Sequence, residues 1–359
     1  MNYDTKFSIG EHTIALDAPS YFVADIAANH DGNLSRAKDL ICLAKESGAN
    51  AVKFQHFLAD KIVSDYGFKH LGQKMSHQSK WKKNVYETYK EYECDRTWTE
   101  TLVKTAKEAH IDFLSTPYDD EAVRMLEPHV SAYKIGSGDI TWTDFIAKIA
   151  KLGKPVLLAT GASSMQDVKR AVETILANNR KICLMQCNTN YTGCGENLKY
   201  INLNVLKTYA YQYPGMLLGL SDHTPGYTTV LGAISLGARI IEKHFTDDAG
   251  RKGPDHIFSM TPKTWQEMIN RSRELEESLG NGQKIIETNE EDTVIVQRRC
   301  LRLIRDMKAG EVITHKDLVS LRPAPEDSVA PYELTNVIGK KISSPKTAGD
   351  ALYWKDIND

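Results

Sequence analysis

Short apolar runs rich in β-branched residues alternate along most of the chain with longer stretches in which apolar positions recur every three or four residues. The runs are "YFVADI" (21–26), "AVKFQ" (51–55), "IDFLST" (111–116), "AYKIGS" (132–137), "PVLLAT" (155–160), "KICLMQC" (181–187), "MLLGLS" (216–221) and "RIIEKHF" (239–245). Strands that are apolar on both faces belong to a parallel sheet covered by helices. The intervening stretches read as those helices: Leu34, Ala37, Ile41 and Ala44 repeat at helical spacing behind a capping Asn33. Eight such units in about 260 residues predict the α/β class and a closed (β/α)8 barrel, with an open doubly wound sheet as the alternative. Residues 57–98, between the second and third runs, form a long polar insertion rich in Lys, His and Tyr, a candidate lid.

A final helix is expected at about 262–280, and the polar stretch "GNGQKIIETNEED" then reads as a linker. The pattern divides the chain into a barrel over 1–280, a linker over 281–294 and a small β-rich domain over 295–359. That last domain contains an echo. "KAGEVITHKDL" (308–318) and "TAGDALYWKDI" (347–357) share Ala-Gly-acid, two aliphatics and Lys-Asp-aliphatic at the same spacing. A β-rich domain of about 65 residues buries too little to be robust alone, so it is expected to lean on another surface.

Composition narrows the function. The 359 residues carry 45 basic and 47 acidic side chains, a net charge of −2, which supplies no field for nucleic acid or an anionic membrane. No run approaches the roughly 18 apolar residues of a membrane span, and "MNYDTKFSIG" lacks the regions of a signal peptide, so a cytoplasmic protein is expected. The six cysteines lie mostly in apolar runs and read as reduced thiols.

Barrel enzymes carry their chemistry at the C-terminal ends of the strands. In strand order those ends hold Asp25 with Asn29 and His30, Lys53 with Gln55, Ser115 and Thr116, Lys134 with Ser137 and Asp139, Thr160, Gln186 and Thr189, Ser221 with Asp222 and His223, and Glu242 with His244. In a barrel the seventh and eighth strands are neighbours, so His223 and His244 are expected to converge on one metal ion. Lys53 and Lys134 would be costly to enclose without anions, which points to a phosphate- or carboxylate-bearing substrate. The hydroxyls of Ser115, Thr116, Ser137 and Ser221 would add neutral hydrogen bonds around it.

The motifs "NHDGNLSRAKDLICLAKESGANAVKFQ", "FLSTPYD", "YKIGSGD", "LLATG", "GLSDHTPG", "IEKHFT" and "GPDH" resemble the bacterial sialic acid synthase family, the nonulosonate synthases, from about residue 20 onward; the tail resembles their antifreeze-like SAF domain. The resemblance implies a transferase that condenses phosphoenolpyruvate with an open-chain aldose, a 2-acetamido sugar, and releases phosphate. It implies a divalent metal, Mn2+ or Mg2+, on His223 and His244. Lys53, Thr116, Lys134, Ser137 and Ser221 would cradle phosphate and carboxylate, and Asp255, Tyr191 and Gln55 would meet the sugar. Asp25 and Asp139 would be the catalytic carboxylates. A homodimer with exchanged SAF domains is also implied, with Arg322 reaching the partner's barrel.

This chain departs from the family pattern at several places. Asp25 and Asp139 stand where Glu is usual, each shorter by a C–C bond of about 1.5 Å. Ala159 replaces a common Ser, and "QCNTNYTG" replaces "HCTxxYPxP". An altered sugar side is the expectation, with an acceptor other than N-acetylmannosamine, such as a diacetamido trideoxyhexose or a sugar lacking N-acetyl. Two other readings of the residues are a Schiff-base keto-acid aldolase or lyase using Lys134 and a non-catalytic carbohydrate-binding protein.

Overall fold

The computed structural model describes residues 3–71, 75, 78–79, 81–191 and 193–359. They divide into two compact units, 1–280 and 281–359. The first opens with a hairpin of β1 (Lys6–Ile9) and β2 (His12–Ala15). Eight parallel strands follow: β3 (Tyr21–Asp25), β4 (Ala51–His56), β5 (Asp112–Pro117), β6 (Tyr133–Ile135), β7 (Val156–Ala159), β8 (Ile182–Cys187), β9 (Leu217–Asp222) and β10 (Ala238–His244). They form a closed barrel in chain order, with β10 pairing back onto β3. Each apolar run named above is one of these strands. The open doubly wound sheet is excluded because β10 pairs with both β9 and β3.

The helices begin where local chemistry supplies a cap. Asn33 accepts from the Arg36 amide at the start of Leu34–Glu46, and Ser164 and Asp167 form a reciprocal capping box at the start of Met165–Leu176. The buried face of Leu34–Glu46 is Ala37, Leu40, Ile41 and Ala44. These helices bury the outer face of the sheet in the largest apolar cluster. A second cluster fills the lower barrel with Tyr21, Val23, Ala51, Leu114, Leu157, Met185, Leu217 and Ile240, and Phe7, Ile9 and Ile14 of the hairpin join it. The hairpin therefore stops the N-terminal end of the barrel, an element absent from the reading above. Inside the 57–98 insertion lie the helices Ala59–Ile62, Asp65–His70 and Val85–Glu91; residues 72–74, 76–77 and 80 fall outside the described residues.

The second unit has its own core of Leu301, Leu303, Met307, Ile313, Val329, Val337, Ile342 and Leu352. β11 (Cys300–Leu303) pairs antiparallel with β12 (Leu318–Leu321), and β13 (Lys341–Ile342) with β14 (Ile357–Asn358). The sequence echo is a structural one. Each copy turns at a glycine with positive φ (Gly310, +83°; Gly349, +92°), makes a 3₁₀ turn (His315–Asp317; Trp354–Asp356) and enters a strand. The stretch over 281–294 includes a 3₁₀ turn (Thr288–Glu290) and the start of a helix, Glu291–Gln297. No helix among the described residues is long and apolar enough to cross a membrane.

Candidate active site

Strand alternation decides which strand-end residues face the barrel interior. Tyr21, Val23, Ala51, Leu114, Ala132, Leu157, Cys183, Leu217 and Ile240 fill it at the bottom, so the inward residues two and four positions further up are Asp25, Lys53, Gln55, Thr116, Lys134, Ser221, Glu242 and His244. Residues at the intervening strand positions turn the other way. Ser115, expected among the anion-binding hydroxyls, instead faces outward; its Oγ donates to the Phe54 carbonyl (3.0 Å) and meets His56 Nδ1 (2.7 Å). Thr160 and Gln186 likewise spend their side chains on backbone carbonyls, those of Met185 and Ile201. Asp222 forms a buried ion pair with Lys243 and accepts from Thr224 and Thr229.

Four charges form the floor of the site. Lys53 Nζ lies 2.7 Å from Asp25 Oδ2, 3.9 Å from Glu242 Oε1 and 3.3 Å from Thr116 Oγ1. Lys134 Nζ lies 2.6 Å from Glu242 Oε1 and 3.3 Å from Ser221 Oγ, which itself donates to Glu242 at 3.1 Å. None of these four charged side chains is more than 4% exposed. Two enclosed lysines were expected to imply an anionic substrate; Asp25 and Glu242 already balance them, so the lysines by themselves do not require one. Glu242 stands at a strand end, yet sequence reasoning assigned it no role; its partners come from β4, β6 and β9, and only the closed sheet brings those strands together.

His223 and His244 do meet, with ring centroids 5.2 Å apart. His223 Nδ1 lies 2.9 Å from the Asn188 carbonyl, which fixes the proton there and leaves Nε2 as an acceptor. His244 Nε2 is 3.6 Å from Asp25 Oδ2, while its Nδ1 is buried without a hydrogen bond, 3.6 Å from Asp255 Oδ2. Burial pushes both imidazoles down, His244 to about 3 against the opposing pull of Asp25. Neutral rings with open nitrogens suit a metal. Among the described residues, however, no set of three His, Cys, Asp or Glu side chains converges on a metal position.

The carboxyls fall into two classes. Burial would raise Asp25, but Lys53, His244 and Gln55 (Nε2 to Oδ2, 2.9 Å) outweigh it and hold the group at about 2. Burial pushes Asp139 up to about 6 and Asp255 to about 7, although Asp255 also accepts from the Ala28 amide at 3.2 Å.

Above this floor opens a cavity of about 390 Å³ whose polar lining includes Gln55, Ser137, Asp139, His244 and Asp255. Ser137 opens a 3₁₀ turn (Ser137–Asp139) and accepts from the Gly161 amide at 2.9 Å. Thr189 sits beside this contact, since a Cβ on Gly161 would meet Thr189 Cγ2 at 2.5 Å and Ser137 Oγ at 2.9 Å. Tyr191 also lines the cavity, its ring centroid 4.2 Å from that of His223. One wall is made of Phe57, Trp81, Tyr89 and Tyr118, side chains of the insertion and of the turn after β5 that sequence reasoning did not single out. Arg322 belongs to the second unit, where it is exposed and directly follows β12.

A family model described as the NeuB family matches residues 40–284, and one described as the SAF domain matches 298–358. The N,N'-diacetyllegionaminic acid synthase of Legionella pneumophila is 34% identical over 350 residues, 94% of each chain. The N-acetylneuraminate-9-phosphate synthase of Homo sapiens is 29% identical over 326 residues, 90% of this chain and 89% of its own. Among solved structures, the N-acetylneuraminic acid synthetase of Leptospira borgpetersenii, in complex with citrate, aligns at a TM-score of 0.71 and 25% identity over 80% of this chain and 95% of that one. With a matched barrel, a matched tail and relatives that span nearly its whole length, the chain is an enzyme of the NeuB family, the sialic-acid-type synthases, and carries a C-terminal SAF domain.

Proposed function

We propose that this enzyme condenses phosphoenolpyruvate with the open-chain aldehyde of an acetamido sugar to give a 3-deoxy-2-keto sugar acid and phosphate. The observation that carries the reading is the floor: two lysines, two carboxylates and two neutral histidines gathered at the end of one barrel, beneath a cavity of sugar size. A bound phosphate and carboxylate would compete with Asp25 and Glu242 for the ammonium protons of Lys53 and Lys134 and would accept from Thr116, Ser137 and Ser221. His223, through its open Nε2, and His244 would hold a divalent metal, Mn2+ or Mg2+, which when bound polarises the aldehyde oxygen as a Lewis acid. C3 of phosphoenolpyruvate then attacks the aldehyde carbon, water adds at C2, and the C2–O bond to phosphate breaks. Asp139 and Asp255, pushed up by burial, are the groups suited to exchange protons near neutrality; Asp25 is held ionised and orients Lys53 and Gln55.

The reading takes the working form to be a homodimer in which Arg322 of one chain serves the other's barrel. The apolar side chains Ile285, Ile286, Ile295 and Val296, exposed on the stretch that leads into the second unit, favour an arrangement that covers them. For a Schiff-base aldolase, Lys134 would have to give up its ion pair with Glu242 at 2.6 Å, and the histidine pair would have no task. The deciding experiment is phosphate release from phosphoenolpyruvate over a panel of aldoses, with chelator added and Mn2+ restored. Aldose-dependent release that a chelator stops and Mn2+ returns is expected; covalent trapping of a keto-acid by borohydride without any release of phosphate would select the aldolase instead.

A further inference from the structure

The motifs that begin at Asn29 ("NHDG") and at Gly253 ("GPDH") stand at opposite ends of the barrel sequence, yet they lie against each other in the fold. His256 Nε2 is 2.9 Å from Asp31 Oδ1, across 225 positions of chain, and its Nδ1 is 2.8 Å from Thr246 Oγ1. A carboxylate can only accept, so the imidazole carries its proton on Nε2 and takes the Thr246 hydroxyl on Nδ1. Asp31 is anchored in turn by Arg36 Nε at 3.1 Å and Arg251 Nε at 3.3 Å. The chain passes directly over this pair: a Cβ on Gly253 would stand 2.6 Å from His256 Cδ2 and 3.5 Å from Asp31 Oδ1.

His256 is fully buried and cannot touch a substrate, but the residue before it lines the cavity. The Asp255 carboxyl has a light hold of its own, one hydrogen bond from the Ala28 amide at 3.2 Å, and lies 3.6 Å from His244 Nδ1. Its backbone is gripped more firmly. Ser259 Oγ donates to the Asp255 carbonyl at 2.7 Å and receives Asn29 Nδ2 at 2.8 Å, while the imidazole one residue on is held at both nitrogens. The loop after β3 therefore meets the turn around Asp255 at three successive points: Ala28 on Asp255, Asn29 on Ser259 and Asp31 on His256.

We infer that the Asp31–His256 pair is a positioning device for Asp255, which fixes where that carboxyl meets the acceptor and acts on the reaction only through it. This deepens the condensation reading and rests on it. The physical link is short. Consecutive Cα atoms are about 3.8 Å apart across one planar peptide, so a displaced imidazole carries the neighbouring residue with it. A misplacement of about 1 Å at a reacting centre costs on the order of a hundredfold in rate.

The test is a double-mutant cycle in the full-length enzyme, read as kcat/KM for the best aldose of the panel and as KM for phosphoenolpyruvate; single turnovers at excess enzyme read the slow variants. His256→Ala should lower kcat/KM for the aldose by about ten- to a hundredfold with the KM for phosphoenolpyruvate unchanged, and the same substitution on an Asp255→Asn background should cost less than about threefold. His256→Gln, whose Nε2 can still donate to Asp31, should recover most of the loss. Should His256→Ala fail to fold, Gly253→Ala, which leaves every polar group in place and pushes on the ring, carries the same comparison in the same two backgrounds. Gly10→Ala serves as a control that loses stability at the other end of the barrel with both constants unchanged. Equal losses in both backgrounds, a parallel rise in the KM for phosphoenolpyruvate, a His256→Gln enzyme as slow as His256→Ala, or wild-type kinetics in His256→Ala would each make His256 a core residue only; the inference is then overturned and the condensation stands. Absence of phosphate release by the wild-type enzyme with every aldose removes the condensation and the inference together.

Discussion

At the scale of residues, the site is a set of charges that hold one another. Lys134 and Glu242 are fully enclosed partners, so Lys134→Met should destabilise the fold by about 3–5 kcal/mol, because the carboxylate left behind keeps only Ser221 and the more distant Lys53. Urea denaturation reads this directly, and the double variant Lys134→Met/Glu242→Met should recover part of the loss. Removing either imidazole, as His223→Ala or His244→Ala, should weaken Mn2+ binding by at least the roughly 10–100-fold seen when only an outer-shell partner is lost; Mn2+ titration followed by electron paramagnetic resonance checks it, and wild-type affinity in both variants would dissolve the shared metal site. The carboxyls give a pH dependence with a definite sign. Asp139 is raised from its ordinary value to about 6, so the folded state holds its proton more tightly than the unfolded chain, and its contribution to stability is present below about 4 and lost as pH rises through 6. Asp25 runs the other way: its contribution is present above about 4 and is lost as pH falls toward 2. Wild-type protein should therefore lose stability relative to Asp139→Asn between pH 4.5 and pH 7, measured by urea melts at each pH. The two Glu-to-Asp departures thus mark groups pushed in opposite directions, one held as an ion and one raised toward neutrality, a distinction invisible in the motif because it depends on Lys53 standing beside one and on burial of the other.

At the scale of elements, the barrel strands were legible because each is a short apolar run bounded by polar residues, and the helices because Asn33, Ser164 and their like cap a periodic stretch. The period-two alternation within each strand carried a further message that sorts Lys53, Lys134, Ser221 and Glu242 from Ser115, Thr160, Gln186 and Asp222. The N-terminal hairpin was missed although "KFSIGEHTIA" alternates around Gly10, because ten residues ahead of a long barrel pattern carry little weight alone. Its turn is strict: Gly10 has φ +55°, and a Cβ there would come within 2.0 Å of Asp112 Oδ1, a carboxylate already receiving the Tyr21 hydroxyl at 2.7 Å. Gly10→Ala is expected to cost about 1–3 kcal/mol through backbone strain and the displaced carboxylate. A drop in the thermal midpoint with kcat unchanged is the expected reading, since the hairpin stops the end of the barrel opposite the chemistry.

At the scale of the whole molecule, the question is what one chain supplies to another. If Arg322 acts in trans, mixing Arg322→Ala with His244→Ala chains and allowing subunit exchange should restore activity toward half the wild-type value per dimer, because one barrel of the mixed dimer then has both its histidines and a wild-type arginine. Dead mixtures with exchange verified would place that arginine in its own chain or deny it a role. By itself the sequence determined the barrel, the small β-rich tail, the family and most of the strand-end residues, because strand periodicity, caps and short motifs are local and survive in one dimension. Only the tertiary structure decided how those residues are used. It showed that the lysines are already ion-paired, that Glu242 is the carboxylate between them, that Lys53 holds the Asp25 carboxyl low while burial raises that of Asp139, and that four aromatic rings from the insertion and the β5 turn wall the cavity. Those are properties of distance and burial between strands up to about two hundred residues apart in the chain, and Coulomb energies and desolvation depend on that spacing in space, which no run of neighbouring letters contains.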